Sequence, residues 1–131
     1  MSNIVESTPR EVVAPASGKQ SVTGQQAHGI SRIIEQCKHV LKEYYGSQFE
    51  GLLLYGSMAR NQASRGSDID LLVLLDQPFD YFEELHQIVE MLYPVQLESE
   101  WLISAKPAAV REYERGRIQL YRNAKKEGVL V

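Results

Sequence analysis

Residues 52–75 read LLLYGSMARNQASRGSDIDLLVLL, and this stretch carries the most informative pattern in the chain. Two apolar runs, each long enough for one buried strand, flank a polar loop of Gly, Ser, Arg and Asn. Gly56-Ser57 directly follows the first run, and Asp68-Ile69-Asp70 opens the second. The stretch therefore predicts two strands that carry chemically useful residues at their polar ends.

The two aspartates are predicted to lie on one face of the second strand, because side chains alternate across a strand. A structural interpretation makes Asp68 a loop cap and Asp70 a solvated residue of an edge strand. However, Asp is depleted in strands, and this one continues as the apolar run LLVLL, which is typical of a buried strand. Two ionised carboxylates roughly 6–7 Å apart repel each other unless a cation lies between them. Hard oxygen ligands suit Mg²⁺, so the pattern predicts a magnesium site at Asp68 and Asp70.

The Gly56-Ser57 dipeptide is a candidate phosphate-binding turn. Glycine lets the backbone turn sharply and approach a bulky anion, and the Ser57 hydroxyl with nearby N–H groups can donate to phosphate oxygens. The dipeptide alone indicates only a turn, and its position beside the strand ends gives it weight. The loop that follows has no acidic residue, and its candidate nucleotide-binding residues are Arg60 and Ser67, with Arg65 as a further cation.

A third carboxylate is expected nearby if two metal ions bind, because closely spaced metals share ligands. Residues 95–103 predict a third strand, in which alternation places Gln96, Glu98 and Glu100 on one face. Glu98 is the first choice for the third catalytic and metal-binding acid, and Glu100 is the reserve. A solvated polar face on an edge strand remains the alternative for either glutamate.

The remaining pattern predicts an α+β domain at residues 25–131 behind a flexible tail at residues 1–24. An apolar stripe predicts a helix over 25–45 that Gly46 ends, and a capping box at Asp80 predicts a second helix that ends before Pro94. Pro107 is expected to begin a helix that Gly116 closes, and a last helix is expected over 117–127. With three strands, these elements predict a small sheet packed against helices.

Composition places the chain among ordinary intracellular domains. Its 131 residues suffice for one domain, and a net charge of −3 argues against general binding to nucleic acid duplexes. A single cysteine, Cys37, makes a reducing cytosol the expected location. No apolar run has the length of a membrane span, and the first residues lack the layout of a signal peptide. We therefore expect a cytoplasmic protein without membrane contact.

Gly56-Ser57, ten residues, then Asp68-Ile69-Asp70 resembles the signature of the minimal nucleotidyltransferases of the DNA polymerase β superfamily. The resemblance covers about residues 25–103. It implies the minimal nucleotidyltransferase fold, a small mixed sheet packed against helices, with ATP as substrate. It also implies that the glycine and serine hold the nucleotide phosphates, that the aspartates bind Mg²⁺, and that the next core strand supplies a third acid. This sequence departs there, because Val95-Gln96-Leu97 has glutamine where family members often have aspartate.

Domains of this length resemble the MNT antitoxins of HEPN/MNT toxin–antitoxin pairs. In that family the antitoxin transfers AMP from ATP to a tyrosine of its partner, an all-helical HEPN ribonuclease toxin, and so neutralises it. The resemblance implies a protein adenylyltransferase whose acceptor is a protein surface, since the sequence offers no second domain for another acceptor. Two alternatives stay open: an antitoxin that acts by non-catalytic occlusion, and a transferase for a small molecule such as an aminoglycoside.

Overall fold

The computed structural model describes residues 24–59 and 68–131, which form helices on both faces of a mixed sheet. The four helices and four strands, with one 3₁₀ turn, follow in chain order: α1 Gly24–Tyr45, the 3₁₀ turn Gly46–Gln48, β1 Phe49–Tyr55, β2 Ile69–Leu75, α2 Tyr81–Leu97, β3 Ile103–Ala109, α3 Val110–Arg115, α4 Gln119–Glu127 and β4 Val129–Leu130. The predicted α+β class is confirmed. The predicted tail lies outside the described residues, apart from Gly24, which begins α1.

The sheet has the strand order β3-β2-β1-β4 within the described chain. β1 pairs antiparallel with both β2 and β4, whereas β2 and β3 run parallel. The register places Tyr55 opposite Asp70, and Asp70 opposite Ser104. The end of β1 and the beginnings of β2 and β3 therefore meet at one end of the sheet.

The alternation of side chains along β2 divides the core into two layers. Ile69, Leu71, Val73 and Leu75 pack on one face with the apolar stripes of α1 and α2, namely Ile33, Ile34, Cys37, Leu41, Ile88, Leu92 and Val95. Leu72 and Leu74 belong to the other face, where they cluster with Leu53, Ala108, Tyr121 and Ala124. Asp70 shares the parity of Leu72, so it lies on the face that α4 partly covers.

The first two predicted helices have clear local causes. α1 ends at Tyr45, and the following Gly46 has a φ of +57°, which glycine adopts readily. α2 begins after Asp80, whose carboxylate accepts the Glu83 N–H at 2.9 Å, which confirms the predicted cap. The Tyr45 hydroxyl donates to Glu84 at 2.7 Å and thus joins the two helices.

The predicted third strand at residues 95–103 is wrong. α2 continues through Pro94 to Leu97, because Val95 extends the buried stripe of Ile88 and Leu92 by one more turn. The strand that follows is β3, and it contains Pro107, which was expected to begin a helix. β3 lies at the sheet edge, where proline is tolerated because one row of N–H groups has no partner strand.

The C-terminal part confirms two expected boundaries and adds a strand. α3 ends at Gly116 in the left-handed conformation, and α4 ends at Gly128. The short apolar segment after Gly128 forms β4, and the Val131 N–H donates to the Leu52 carbonyl at 2.9 Å. The sheet of the described residues thus has one strand more than predicted. Across these residues, no helix is both long and apolar enough to cross a membrane.

Candidate active site

The bend after β1 lies against the first half of β2. Gly56 has a φ of +79°, and a β-carbon at this position would collide with the Asp70 carboxylate. Only a residue without a side chain satisfies both the left-handed backbone and this close approach. The structure therefore brings the predicted Gly56-Ser57 turn and Asp70 together.

The two aspartates frame a buried residue at the start of β2. Asp68 precedes the strand and Asp70 is its second residue, and both are partly exposed. Ile69 between them is fully buried on the face of α1 and α2, and its N–H donates to the Leu102 carbonyl at 2.8 Å. Alternation along β2 places Asp70 on the opposite face, whereas Asp68 lies before the strand, so its predicted position on the same face stays a prediction.

Tyr55 lies beside Asp70 in the paired register. Burial raises the pKa of its hydroxyl to about 12, and the negative charge of Asp70 contributes in the same direction. The phenol consequently stays neutral at physiological pH. Tyr55 therefore adds no charge to the acidic pair.

Glu98 does not occupy the predicted strand position. It is the exposed C-cap of α2, and α2 packs on the face of the sheet opposite to Asp70. Glu100 is exposed in the turn that follows. The alternation argument for either residue as third acid is wrong, because these residues are not in a strand. Among the described residues, His, Cys, Asp and Glu form no group of three that could hold a metal ion.

Gln96 has a structural role in the turn between α2 and β3. Its Nε2 donates to the Trp101 carbonyl at 3.0 Å, and its Oε1 accepts the Ile103 N–H at 2.7 Å. This side chain therefore bridges the turn and helps to set where β3 begins.

The strand beside β2 carries a different polar pair. β3 has the sequence ISAKPAA, without an acidic residue, and its register places Ser104 next to Asp70. Lys106 follows on the same face, and its Nζ donates to Ser104 Oγ at 3.4 Å. The sequence analysis missed both residues. The sequence does indicate a strand here, because the polar residues Ser104 and Lys106 alternate with apolar neighbours. Pro107 obscured this pattern, because proline is unusual within a strand.

The remaining candidate residues are only partly described. Ser57 directly follows the Gly56 bend and is partly exposed. Arg60 and Ser67, together with Arg65, lie outside the described residues, so their predicted role stays a prediction.

The donor chemistry fits one magnesium ion. Asp68 and Asp70 supply two carboxylates, and Mg²⁺ commonly binds one or two carboxylates together with substrate phosphates. The Gly56 bend lies so close to the Asp70 carboxylate that a β-carbon there would collide with it, so the predicted phosphate-binding turn lies directly beside a candidate metal ligand. A second ion lacks the shared carboxylate it requires within the described part of the chain.

Comparison with known families matches residues 35–131 to the polymerase beta nucleotidyltransferase family. The chain belongs to this family, and the predicted nucleotidyltransferase fold is confirmed. One similar protein comes from Methanocaldococcus jannaschii and carries the provisional name protein adenylyltransferase. It is 33% identical over 79 residues, which are 57% of this chain and 79% of that protein.

Proposed function

We propose that this chain is a Mg²⁺-dependent protein adenylyltransferase that transfers AMP from ATP to a hydroxyl group of a partner protein. The observation that carries the proposal is the close approach of the Gly56 bend to Asp70. It supports a pocket in which a phosphate-binding turn faces an acidic metal-binding strand. Membership of the nucleotidyltransferase family supports nucleotidyl transfer as the reaction.

The residues of this chain bind and orient the nucleotide. Ser57 and the N–H groups of its turn donate to phosphate oxygens, with Arg60 and Ser67 as predicted further contacts. Asp68 and Asp70 would hold Mg²⁺, which supplies electrostatic stabilisation of phosphate charge when it is bound.

The proposed transfer exchanges one bond to the α-phosphorus for another. The acceptor oxygen forms a bond to the α-phosphorus, the bond to the bridging oxygen breaks, and pyrophosphate leaves. The hydroxyl proton passes to solvent. The products are the AMP ester of the acceptor and pyrophosphate.

The proposed acceptor is a tyrosine of a HEPN-type ribonuclease toxin, with the present chain as its antitoxin. The provisional name of the M. jannaschii relative supports a protein acceptor, and the motif resemblance supports the toxin partner. Added phosphate charge beside a ribonuclease active site would repel RNA phosphates and block the enzyme. Cytoplasmic action follows from such a partnership.

The test is transfer to the partner, followed by intact-mass analysis. The chain is incubated with ATP, Mg²⁺ and the HEPN-type protein encoded beside it, and we expect the partner to gain one or more AMP units. Asp68→Ala with Asp70→Ala should abolish the gain. Asp76→Ala is the matched control, because Asp76 is exposed just beyond the other end of β2. Unchanged transfer by the double variant would contradict the proposal.

Non-catalytic occlusion is the second candidate function, and the acid-free sequence of β3 favours it. A site without a third carboxylate on this strand would support slower chemistry. If occlusion suffices, the double aspartate variant still neutralises ribonuclease activity at a stoichiometric ratio. If transfer is required, that variant leaves the toxin active while the Asp76→Ala control neutralises it.

A further inference from the structure

We propose that Lys106 is a nucleotide-binding residue whose ammonium group contacts the triphosphate. The inference rests on the proposed function and adds a contact from β3, a strand to which the motif assigns no cation. Lys106 would supply positive charge on β3, which carries no acidic residue for a second metal ion.

The strand register brings Lys106 to the correct face. Asp70 pairs with Ser104 across the parallel β2–β3 ladder, and paired residues share a face. Lys106 is two residues further along β3, and it therefore projects from that same face. Its Nζ lies 3.4 Å from Ser104 Oγ, so the side chain extends back toward the Asp70 row.

The sheet face that carries Lys106 has one part buried under α4 and one part that is partly exposed. Leu72, Leu74 and Ala108 are buried beneath the α4 layer. Asp70, Ser104 and Lys106 are only partly buried. The partly exposed polar residues mark the part of the face that a ligand can reach. A lysine stem at this position can cover the sheet while its charged end reaches a ligand.

The charge balance also favours a phosphate ligand. Two aspartates with a single Mg²⁺ leave the charge of a bound triphosphate largely uncompensated, and β3 provides no acid for a second ion. A lysine ammonium is a compact cation that binds phosphate as a point charge. Lys106 therefore complements the phosphate groups beside Asp70.

ATP binding by the full chain tests the proposal, with dissociation constants measured by equilibrium dialysis in Mg²⁺. Lys106→Met keeps the apolar stem and removes the charge, and we expect about tenfold weaker binding, the effect of losing one charged contact. Lys106→Arg should stay within about threefold of the unchanged chain because it retains the charge. Lys42→Met is the matched control, since Lys42 is exposed on α1.

Competition by inorganic tripolyphosphate and by adenosine identifies the contacted part of ATP. Loss of a phosphate contact should weaken tripolyphosphate competition in Lys106→Met and leave adenosine competition unchanged. A merely structural role would weaken both competitors. If Lys106→Met does not fold, Lys106→Gln replaces it, because glutamine preserves a polar partner for Ser104.

The outcomes separate the two proposals. Failure of the unchanged chain to bind ATP would overturn the proposed function and this inference with it. Binding of ATP by the unchanged chain and by Lys106→Met with equal affinity would overturn the inference alone. A selective loss of ATP and tripolyphosphate affinity would support the phosphate contact.

Discussion

Gly56 connects backbone conformation to the acidic pair. Its φ of +79° lies in the left-handed region, and a β-carbon would also meet the Asp70 carboxylate. Gly46 shares the first property with a φ of +57°, but a β-carbon there has open space among the described residues. A comparison of substitutions at the two glycines therefore separates the free-energy cost of backbone strain from the cost of displacing Asp70.

We expect Gly56→Ala to abolish most ATP binding and Gly46→Ala to leave it unchanged. Gly46→Ala should lower the free energy of unfolding by about 1 kcal/mol, because a left-handed backbone disfavours a side chain. Gly56→Ala should lower it further, because its β-carbon also displaces the Asp70 carboxylate. Urea unfolding measures these costs, and equilibrium dialysis measures the binding. Equal ATP affinities in the two variants would refute the role assigned to the bend.

The buried thiol of Cys37 is expected to lower the stability of the fold at alkaline pH. It is fully buried on the α1 stripe, and burial raises the pKa of its thiol from 9.0 to about 12. The unfolded chain loses this proton first, so the contribution is fully present below pH 9 and declines as pH rises toward 12. Cys37→Ala removes this titration, although it also loses buried volume.

The stability difference between the unchanged chain and Cys37→Ala should therefore shrink above pH 9. The expected slope is about 1 kcal/mol per pH unit. Urea unfolding of both proteins between roughly pH 8 and about pH 10.5, at intervals of about half a pH unit, measures this slope. Tyrosine ionisation affects both proteins equally, so it cancels in the difference between their free energies of unfolding. A constant difference over this range would show that the thiol does not titrate with a raised pKa.

At the scale of elements, prediction succeeded where a short local pattern determines the structure. The stripe of α1, the Asp80 cap and the two apolar runs each act within a few residues, and all four were predicted correctly. Prediction failed across residues 94–109, where Pro94 and Pro107 gave misleading local signals. Packing of Val95 against the core overrides Pro94, and the edge position of β3 accommodates Pro107.

Pro94 is therefore expected to reduce the stability of α2. It lies inside the helix with its side chain exposed, and it removes one helical hydrogen bond without adding buried surface. We expect Pro94→Ala to raise the free energy of unfolding by about 1–3 kcal/mol. Urea unfolding gives the value.

Pro107→Ala provides the contrast, because Pro107 is fully buried in β3 and its loss should be destabilising. A lower stability of Pro94→Ala would mean that the proline is needed to shape the helix end. That result would contradict the account of α2 given by its buried stripe.

At the scale of the whole molecule, the site combines contacts of different sequence range. Gly56, Asp68 and Asp70 are close in sequence. Antiparallel pairing of β1 with β2 also brings the beginning of β2 back to the bend, so these residues are close in space. Sequence pattern could therefore predict their proximity. Ser104 joins them only through parallel pairing of β3 after the intervening α2, and β4 joins β1 only after two further helices. Such register depends on tertiary packing that local periodicity does not encode.

Because β2 pairs with β1 and β3, a ligand held at its first residues should stabilise the whole sheet. A ligand that binds only the folded chain adds about 2.7 kcal/mol at a free concentration about 100 times its Kd. Mg²⁺ with a non-hydrolysable ATP analogue should therefore raise the Tm by several degrees. Calorimetry should show no such rise for Asp68→Ala with Asp70→Ala, whereas Asp76→Ala should respond as the unchanged chain does. An equal rise in the double variant would place nucleotide binding elsewhere on the molecule.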